Sequence, residues 1–150
     1  QLRFAEEVGA AIVHSSYRFV GEEGNFLRGG VKASDRVDLR SYMRNTEIGM
    51  STSLIDCGKV GEFRLEDIRL CQDTNLWLEL LGRGFVSRGL RETLVHYRVR
   101  EGQLSGSKVA MAKQVFALWM RTEQVSPPER VWCFFHYALN GVRKRLGGVS

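Results

Sequence analysis

The chain has 150 residues, 43% of them hydrophobic, which is enough for one ordinary domain with a real core. Cys57, Cys71 and Cys133 are widely separated with no CxxC pair, and His14, His96 and His136 are equally scattered, which argues for reduced thiols in a cytosolic setting and against a disulfide framework or zinc site. The net charge of +5 invites anionic partners such as phosphates, nucleic acids or acidic lipid surfaces, without choosing among them.

No apolar run reaches the length of a membrane span, and no signal-peptide pattern opens the chain. It begins at Gln1 rather than a methionine, as a piece of a longer protein would. "QLRFAEEVGA" suits the end of a helix with Leu2, Phe4 and Ala5 facing inward. "AAIVHSSYRFV" is rich in β-formers and "GEEGN" supplies a turn, so residues 11–20 and a short partner near 25–28 should pair as a hairpin. Asp38 can start a short helix through Met43. "IGMSTSLID" sets Ile48, Met50, Thr52 and Leu54 against Gly49, Ser51 and Ser53, a period of two that predicts a strand. Its small, hydroxyl-bearing face is either a ligand-facing surface or simply a solvated one.

From Asp73 to Leu81 the period turns helical, with Leu76, Trp77, Leu80 and Leu81 on one face and Gly82 and Gly84 as stop signals. "TLVHYRV" returns to strand, Val95, Tyr97 and Val99 pointing one way and His96 and Arg98 the other. After the loop "REGQLSGS", Ser107 can cap a helix to about Thr122 with Val109, Ala112, Phe116, Trp119 and Met120 as its apolar stripe. "SPPE" marks a boundary: Ser126 and Glu129 have capping-box spacing, and a helix should run from about Pro128 to Arg145. No internal repeat or long linker interrupts what reads as a mixed α/β unit, residues 1–125, closed by a basic amphipathic helix in 126–150.

Three segments, "NTEIGMSTSLIDCGKVGEFRLEDIRL", "CQDTNLWLELLGRGF" and "HYRVREGQLSGSK", follow one another in this order. Together they resemble the C-terminal half of bacterial family-two glycosyltransferases, whose fold is GT-A. Members show an "IG-ST" strand, an "IG-F" turn, a Glu-Asp pair opening a helix of the type "ED-D-WL-L", then "RGF", and "YRV" before a Ser-rich loop. The resemblance covers most of residues 1–145. It implies the acceptor-side portion of a GT-A domain with a helical C-terminal third, and an inverting transfer of sugar from a nucleotide-sugar to a saccharide acceptor, polyisoprenoid-linked in many relatives. Such enzymes assemble surface polysaccharides.

By the same resemblance Asp73 takes the place of the catalytic aspartate. A sugar hydroxyl is a poor nucleophile at neutral pH, so a carboxylate within hydrogen-bond reach has to take its proton. From the residues alone Asp73 reads first as a plain helix cap; the resemblance favours the base, and the two roles can coexist. The family's usual glutamate is Gln72 here and its second helix aspartate is Asn75; both swaps keep shape and remove charge. Ser51 and Thr52 belong to the "IG-ST" element. The resemblance assigns Arg98 to the donor diphosphate, where its forked guanidinium suits phosphate oxygens, with His96, Arg69, Ser105 and Ser107 as further candidates. A solvated basic strand edge is the plainer reading of His96 and Arg98.

No Asp-x-Asp triplet and no glycine-rich phosphate loop occurs in the chain. A divalent metal, Mg or Mn, is therefore expected in the complete enzyme and not on this chain alone, which lacks the donor-binding half. In the tail, Val131, Phe135, Ala138, Leu139 and Val142 form one stripe, widened by Trp132, Phe134 and Tyr137, before the basic run Arg143–Arg145. That helix over 128–146 suits either contact with a membrane surface or packing on the core. The expected setting is cytoplasmic, peripheral at the inner face of the cell membrane. The competing reading is a non-catalytic basic module for phosphate-bearing ligands, nucleic acid or membrane, but the cations are not interleaved with aromatics as in a nucleic-acid reader. Sheet edges left open by a missing half would favour self-association.

Overall fold

A computed structural model describes residues 1–68, 70–100 and 108–145. Helix α1 (Leu2–Glu7) leads into β1 (Ile12–Val20), β2 (Phe26–Val31), β3 (Arg36–Val37) and α2 (Leu39–Arg44). A single turn of 3-10 helix (Met50–Thr52) precedes β4 (Ser53–Ile55), α3 (Cys57–Val60) and α4 (Gln72–Gly82). The chain then forms β5 (Ser87–Arg98), α5 (Lys108–Arg121) and α6 (Pro127–Arg145). The mixed α/β class expected from the sequence is what forms.

The strands make one sheet in the order β2-β1-β5-β3, with β4 joined to the first residues of β1. The expected hairpin is present: β1 and β2 run antiparallel, Tyr17 opposite Val31. β5 lies parallel to β1, from Ile12 opposite Ser87 to Val20 opposite Arg98, and bulges around Ser16. Those bulges let a strand of 12 residues track one of 9. At Gly89 the Ala33–Ser34 segment crosses so close that a Cβ would lie 2.0 Å from the Ser34 carbonyl oxygen, so only glycine fits.

The core lies between the sheet and helices α2, α4, α5 and α6. Trp77 and Trp119 are wholly enclosed there with Tyr42, Met43, Leu76 and Leu80. The Trp119 indole Nε1–H donates to the Met43 carbonyl at 3.1 Å, tying α5 to α2. Asp38 caps α2 as its sequence position suggests: its Oδ1 accepts from the Ser41 N–H at 2.9 Å, which also holds its carboxyl below the usual range.

Several expectations are corrected. Ala5 is buried, but Leu2 stands out in solvent, because only one side of the short α1 meets the sheet. Of residues 48–54 only the end is extended. The Thr52 Oγ1 accepts from the Gly49 N–H at 3.1 Å and donates to the Gly49 carbonyl at 2.9 Å, closing a turn that buries Ile48 and Thr52 and leaves Met50 exposed. On α5 the buried face is Val115, Leu118 and Trp119, while Val109 and Phe116 are exposed. The Trp119 bond to α2 fixes which of the two apolar faces of α5 turns inward. On α6, Cys133 is enclosed and Phe134 and Tyr137 pack partly, whereas Val131, Phe135, Leu139 and Val142 face out. Glu129 pairs with Arg40 of α2, Nε to Oε1 at 2.7 Å. No described helix is long and apolar enough to cross a membrane.

Candidate active site

Helix α4 buries Leu76, Trp77, Leu80 and Leu81 as its spacing predicts, and that burial fixes its N-terminus at the edge of the core. The residue flanking the helix is Cys71, not Asp73. Cys71 has φ 62°, the one non-glycine among the described residues in the left-handed region. Such a residue costs about 1 kcal/mol or more and persists where the surroundings dictate it. Its effect is to start the helix abruptly and set Asp73 in the first turn.

Asp73 itself is exposed, and its Oδ1 accepts from the Thr74 N–H at 2.8 Å. The carboxylate is thus fixed by the helix and open to a ligand. Its charge is felt by three neighbours. Tyr17 is pushed up to about 12, by burial first and then by Tyr97, Glu47 and Asp73. Tyr42 is raised well above its ordinary value by burial and then Asp73, and Cys71 rises to about 11 for the same two reasons. These groups stay protonated at neutral pH.

A separate cavity of about 380 Å³ lies over β1, β2 and β5; by strand alternation Arg18, whose guanidinium sits over the Phe26 ring at 5.1 Å, stands on the face of the sheet opposite the Tyr17 ring. Ser16, Gly30 and Thr93 line the cavity, and three cations, Arg18, Lys32 and Arg91, stand around it. Arg91 is oriented by a bidentate pair with Asp35, both bonds 2.8 Å. Tyr17, Phe19 and Tyr97 form an aromatic group on β1 and β5, with centroids 5.7 to 6.0 Å apart. Neither the cavity nor this group was visible in the sequence, since both depend on the parallel pairing of β1 with β5.

The other candidate residues divide. Gln72 is exposed beside Asp73, whereas Asn75 points into a separate polar hollow of about 260 Å³ with Glu66, Glu79, Arg121 and Gln124. Ser51 is exposed; the Thr52 hydroxyl is taken up by Gly49, and its carbonyl accepts from the Gln1 side chain at 2.5 Å. His96 packs edge-on against Phe26, centroids 5.0 Å apart, and the Arg98 guanidinium donates to the Gly21 and Glu22 carbonyls of the β1–β2 turn. By strand alternation both lie on the face opposite Tyr97. Arg69, Ser105 and Ser107 lie outside the described residues.

A second polar cluster is enclosed. His14 Nδ1 lies 2.8 Å from Ser87 Oγ and its Nε2 lies 3.1 Å from Glu47 Oε1. A carboxylate only accepts, so Nε2 carries a hydrogen and, in the neutral ring, Nδ1 accepts from Ser87. The trio resembles a hydrolase triad in composition, but His14 and Ser87 have no exposure at all, so no substrate reaches the hydroxyl. Its role is to join β1, β5 and the segment before the 3-10 turn. Among the described residues no group of three or more His, Cys, Asp or Glu side chains converges to hold a metal ion.

No protein-family model and no solved structure matches the chain. Two curated sequences do. Over 146 residues, 97% of this chain, it is 32% identical to the teichuronic acid biosynthesis glycosyltransferase TuaG of Bacillus subtilis, covering 58% of that protein. Over 146 residues, 96% of this chain, it is 27% identical to the UDP-Glc:alpha-D-GlcNAc-diphosphoundecaprenol beta-1,3-glucosyltransferase WfaP of Escherichia coli, covering 56% of it. The chain is therefore a homologue of bacterial glycosyltransferases. It spans somewhat over half the length of these relatives, which is consistent with the C-terminal half that its motifs resemble.

Proposed function

We propose that the chain is the acceptor-side portion of an inverting family-two transferase of the GT-A fold, with Asp73 as its general base. The observation that carries this reading is the exposed carboxylate in the first turn of α4, fixed by a backbone N–H behind a left-handed residue. In the reaction the acceptor hydroxyl attacks the anomeric carbon of a nucleotide-sugar. The new C–O bond forms as the bond to the diphosphate breaks on the opposite face, the nucleoside diphosphate leaves with the electron pair, and the hydroxyl proton passes to Asp73. Loss of such a base costs about a hundredfold or more in rate.

The acceptor we propose is a saccharide carried on a lipid diphosphate. The acceptor in the name of WfaP, alpha-D-GlcNAc-diphosphoundecaprenol, is of that kind. Arg18, Lys32 and Arg91 around the cavity over β1, β2 and β5 suit phosphate oxygens. The resemblance calls for a divalent metal in the complete enzyme; the described residues offer no ligand set for one, and no step above runs through it. The setting proposed is the cytoplasmic side of the membrane.

The experiment that tests the function offers the complete protein a panel of nucleotide-sugars with a diphosphate-linked saccharide acceptor and follows product by NMR. A new glycosidic linkage with the anomeric configuration opposite to the donor's is expected. Release of free sugar alone, or a product with the donor's own configuration, would refute an inverting transferase.

A further inference from the structure

Helix α6 has two apolar sides, and only one of them packs. Cys133 is enclosed, Phe134 meets Phe116 of α5 edge-on at 5.0 Å, and the Asn140 side chain donates to the Arg44 carbonyl at 3.0 Å. On the opposite side Val131, Trp132, Phe135, Leu139 and Val142 are each between 40 and 56% exposed. The Trp132 and Phe135 rings stack with centroids 6.1 Å apart. These positions recur every three or four residues, so the stripe is continuous for about three turns. Large apolar side chains scattered singly on a surface are ordinary; a continuous row marks an interaction. A second apolar groove of about 430 Å³, lined by Val109, Phe116 and Phe134 with Lys113 at its rim, adjoins it across the helix.

Charge selects the occupant. In the sequence the stripe runs into the basic cluster Arg143–Arg145. The acidic residue of α6, Glu129, sits in its first turn and is held by Arg40. An exposed apolar row that leads into a basic run, on a chain of net charge +5, is complementary to the headgroup and acyl boundary of an anionic membrane.

We propose that the outer face of α6 docks the protein on an anionic lipid bilayer, the helix lying in the plane of the interface with Trp132 and Phe135 at its centre. The proposal does not depend on the role of Asp73.

Trp132 supplies the reporter, since Trp77 and Trp119 have no exposure. The complete protein and its Trp132→Phe variant are titrated with phosphatidylcholine vesicles with and without phosphatidylglycerol, and the difference in emission is the Trp132 signal. The expected result is a blue shift and protection from acrylamide with the anionic vesicles, weakened by salt. Phe135→Glu should lower vesicle affinity at least about tenfold with an unchanged unfolding temperature, since it puts a charge in the apolar row. Three results would overturn the proposal: no shift with anionic vesicles; Trp132 already emitting as a buried indole without lipid, which means that the rest of the enzyme covers the face; or Phe135→Glu converting a dimer to a monomer, which assigns the face to a second copy.

Discussion

Replacing Glu47 with glutamine perturbs the enclosed polar cluster at its centre. The Glu47 side chain is 4% exposed and receives four hydrogen bonds. Its Oε1 accepts from His14 Nε2 at 3.1 Å and from the Ser34 N–H at 2.8 Å, and its Oε2 accepts from the Ser34 hydroxyl at 2.9 Å and from Asn45 Nδ2 at 3.0 Å. A glutamine offers one acceptor oxygen, so its NH2 must face two of those donors. The Ser34 hydroxyl can rotate to accept; the other donor is stranded. One stranded buried donor, with loss of charge assistance in the remaining bonds, costs about 2–4 kcal/mol. For a protein of this size that is a fall of about 5–15 °C in the unfolding midpoint. Burial by itself would raise the Glu47 carboxyl, but hydrogen bonds from His14 and Ser34 outweigh it and hold the group below its ordinary value of 4.5. Its ionised form therefore adds stability that is complete above that value and fades as pH drops through the folded one. Thermal unfolding of the complete protein from neutral to acid pH should show a steeper loss for wild type than for Glu47→Gln. Equal midpoints at neutral pH and parallel acid slopes would refute this account of the cluster.

Gly89→Ala should cost at least about 3 kcal/mol, because the carbon added 2.0 Å from the Ser34 carbonyl meets backbone that cannot step aside; a urea midpoint like that of wild type would show that the crossing is looser. Trp119→Phe keeps most of the enclosed ring but strands the Met43 carbonyl and leaves a gap, so it should cost about 2–3 kcal/mol by the same assay. Arg91→Ala removes an exposed pair with Asp35 and should change stability by less than about 1 kcal/mol. In the complete enzyme it should raise the KM for a diphosphate-linked acceptor more than it lowers kcat, if the cavity is where phosphate binds.

What the sequence revealed was whatever a local period or cap encodes. The apolar spacing of Leu76, Trp77, Leu80 and Leu81, the Asp38 cap, and the β-rich run before "GEEGN" each describe a short element whose partners are near in the chain. The misreadings share a cause. Residues 48–54 alternate as a strand would, but the Thr52 hydroxyl offers the backbone a turn instead. Helices α5 and α6 carry apolar residues on two sides, so periodicity alone could not say which side would pack. The site was half legible. Asp73 is named by its motif, but its neighbours Tyr17 and Tyr42 are 56 and 31 residues away, and His14 meets Ser87 across 73. Such meetings are set by the pairing of β1 with β5 and by the packing of α2 on α4, which no local pattern announces.

The central claim is that Asp73 takes the acceptor's proton, and the turnover of Asp73→Asn in the complete enzyme tests it most directly, with the unfolding midpoint measured beside it. The amide keeps the size and can still accept from the Thr74 N–H, so the helix start should lose no more than about 1 kcal/mol. It cannot take a proton, so kcat should fall about a hundredfold or more while donor affinity barely changes. Gln72→Glu, which restores the carboxylate usual in the resembled family, should stay within about tenfold of wild type, a change of the size expected for a neighbouring charge. Near-normal turnover by Asp73→Asn, together with a clearly lower unfolding midpoint, would contradict the account and leave Asp73 as a structural residue of α4.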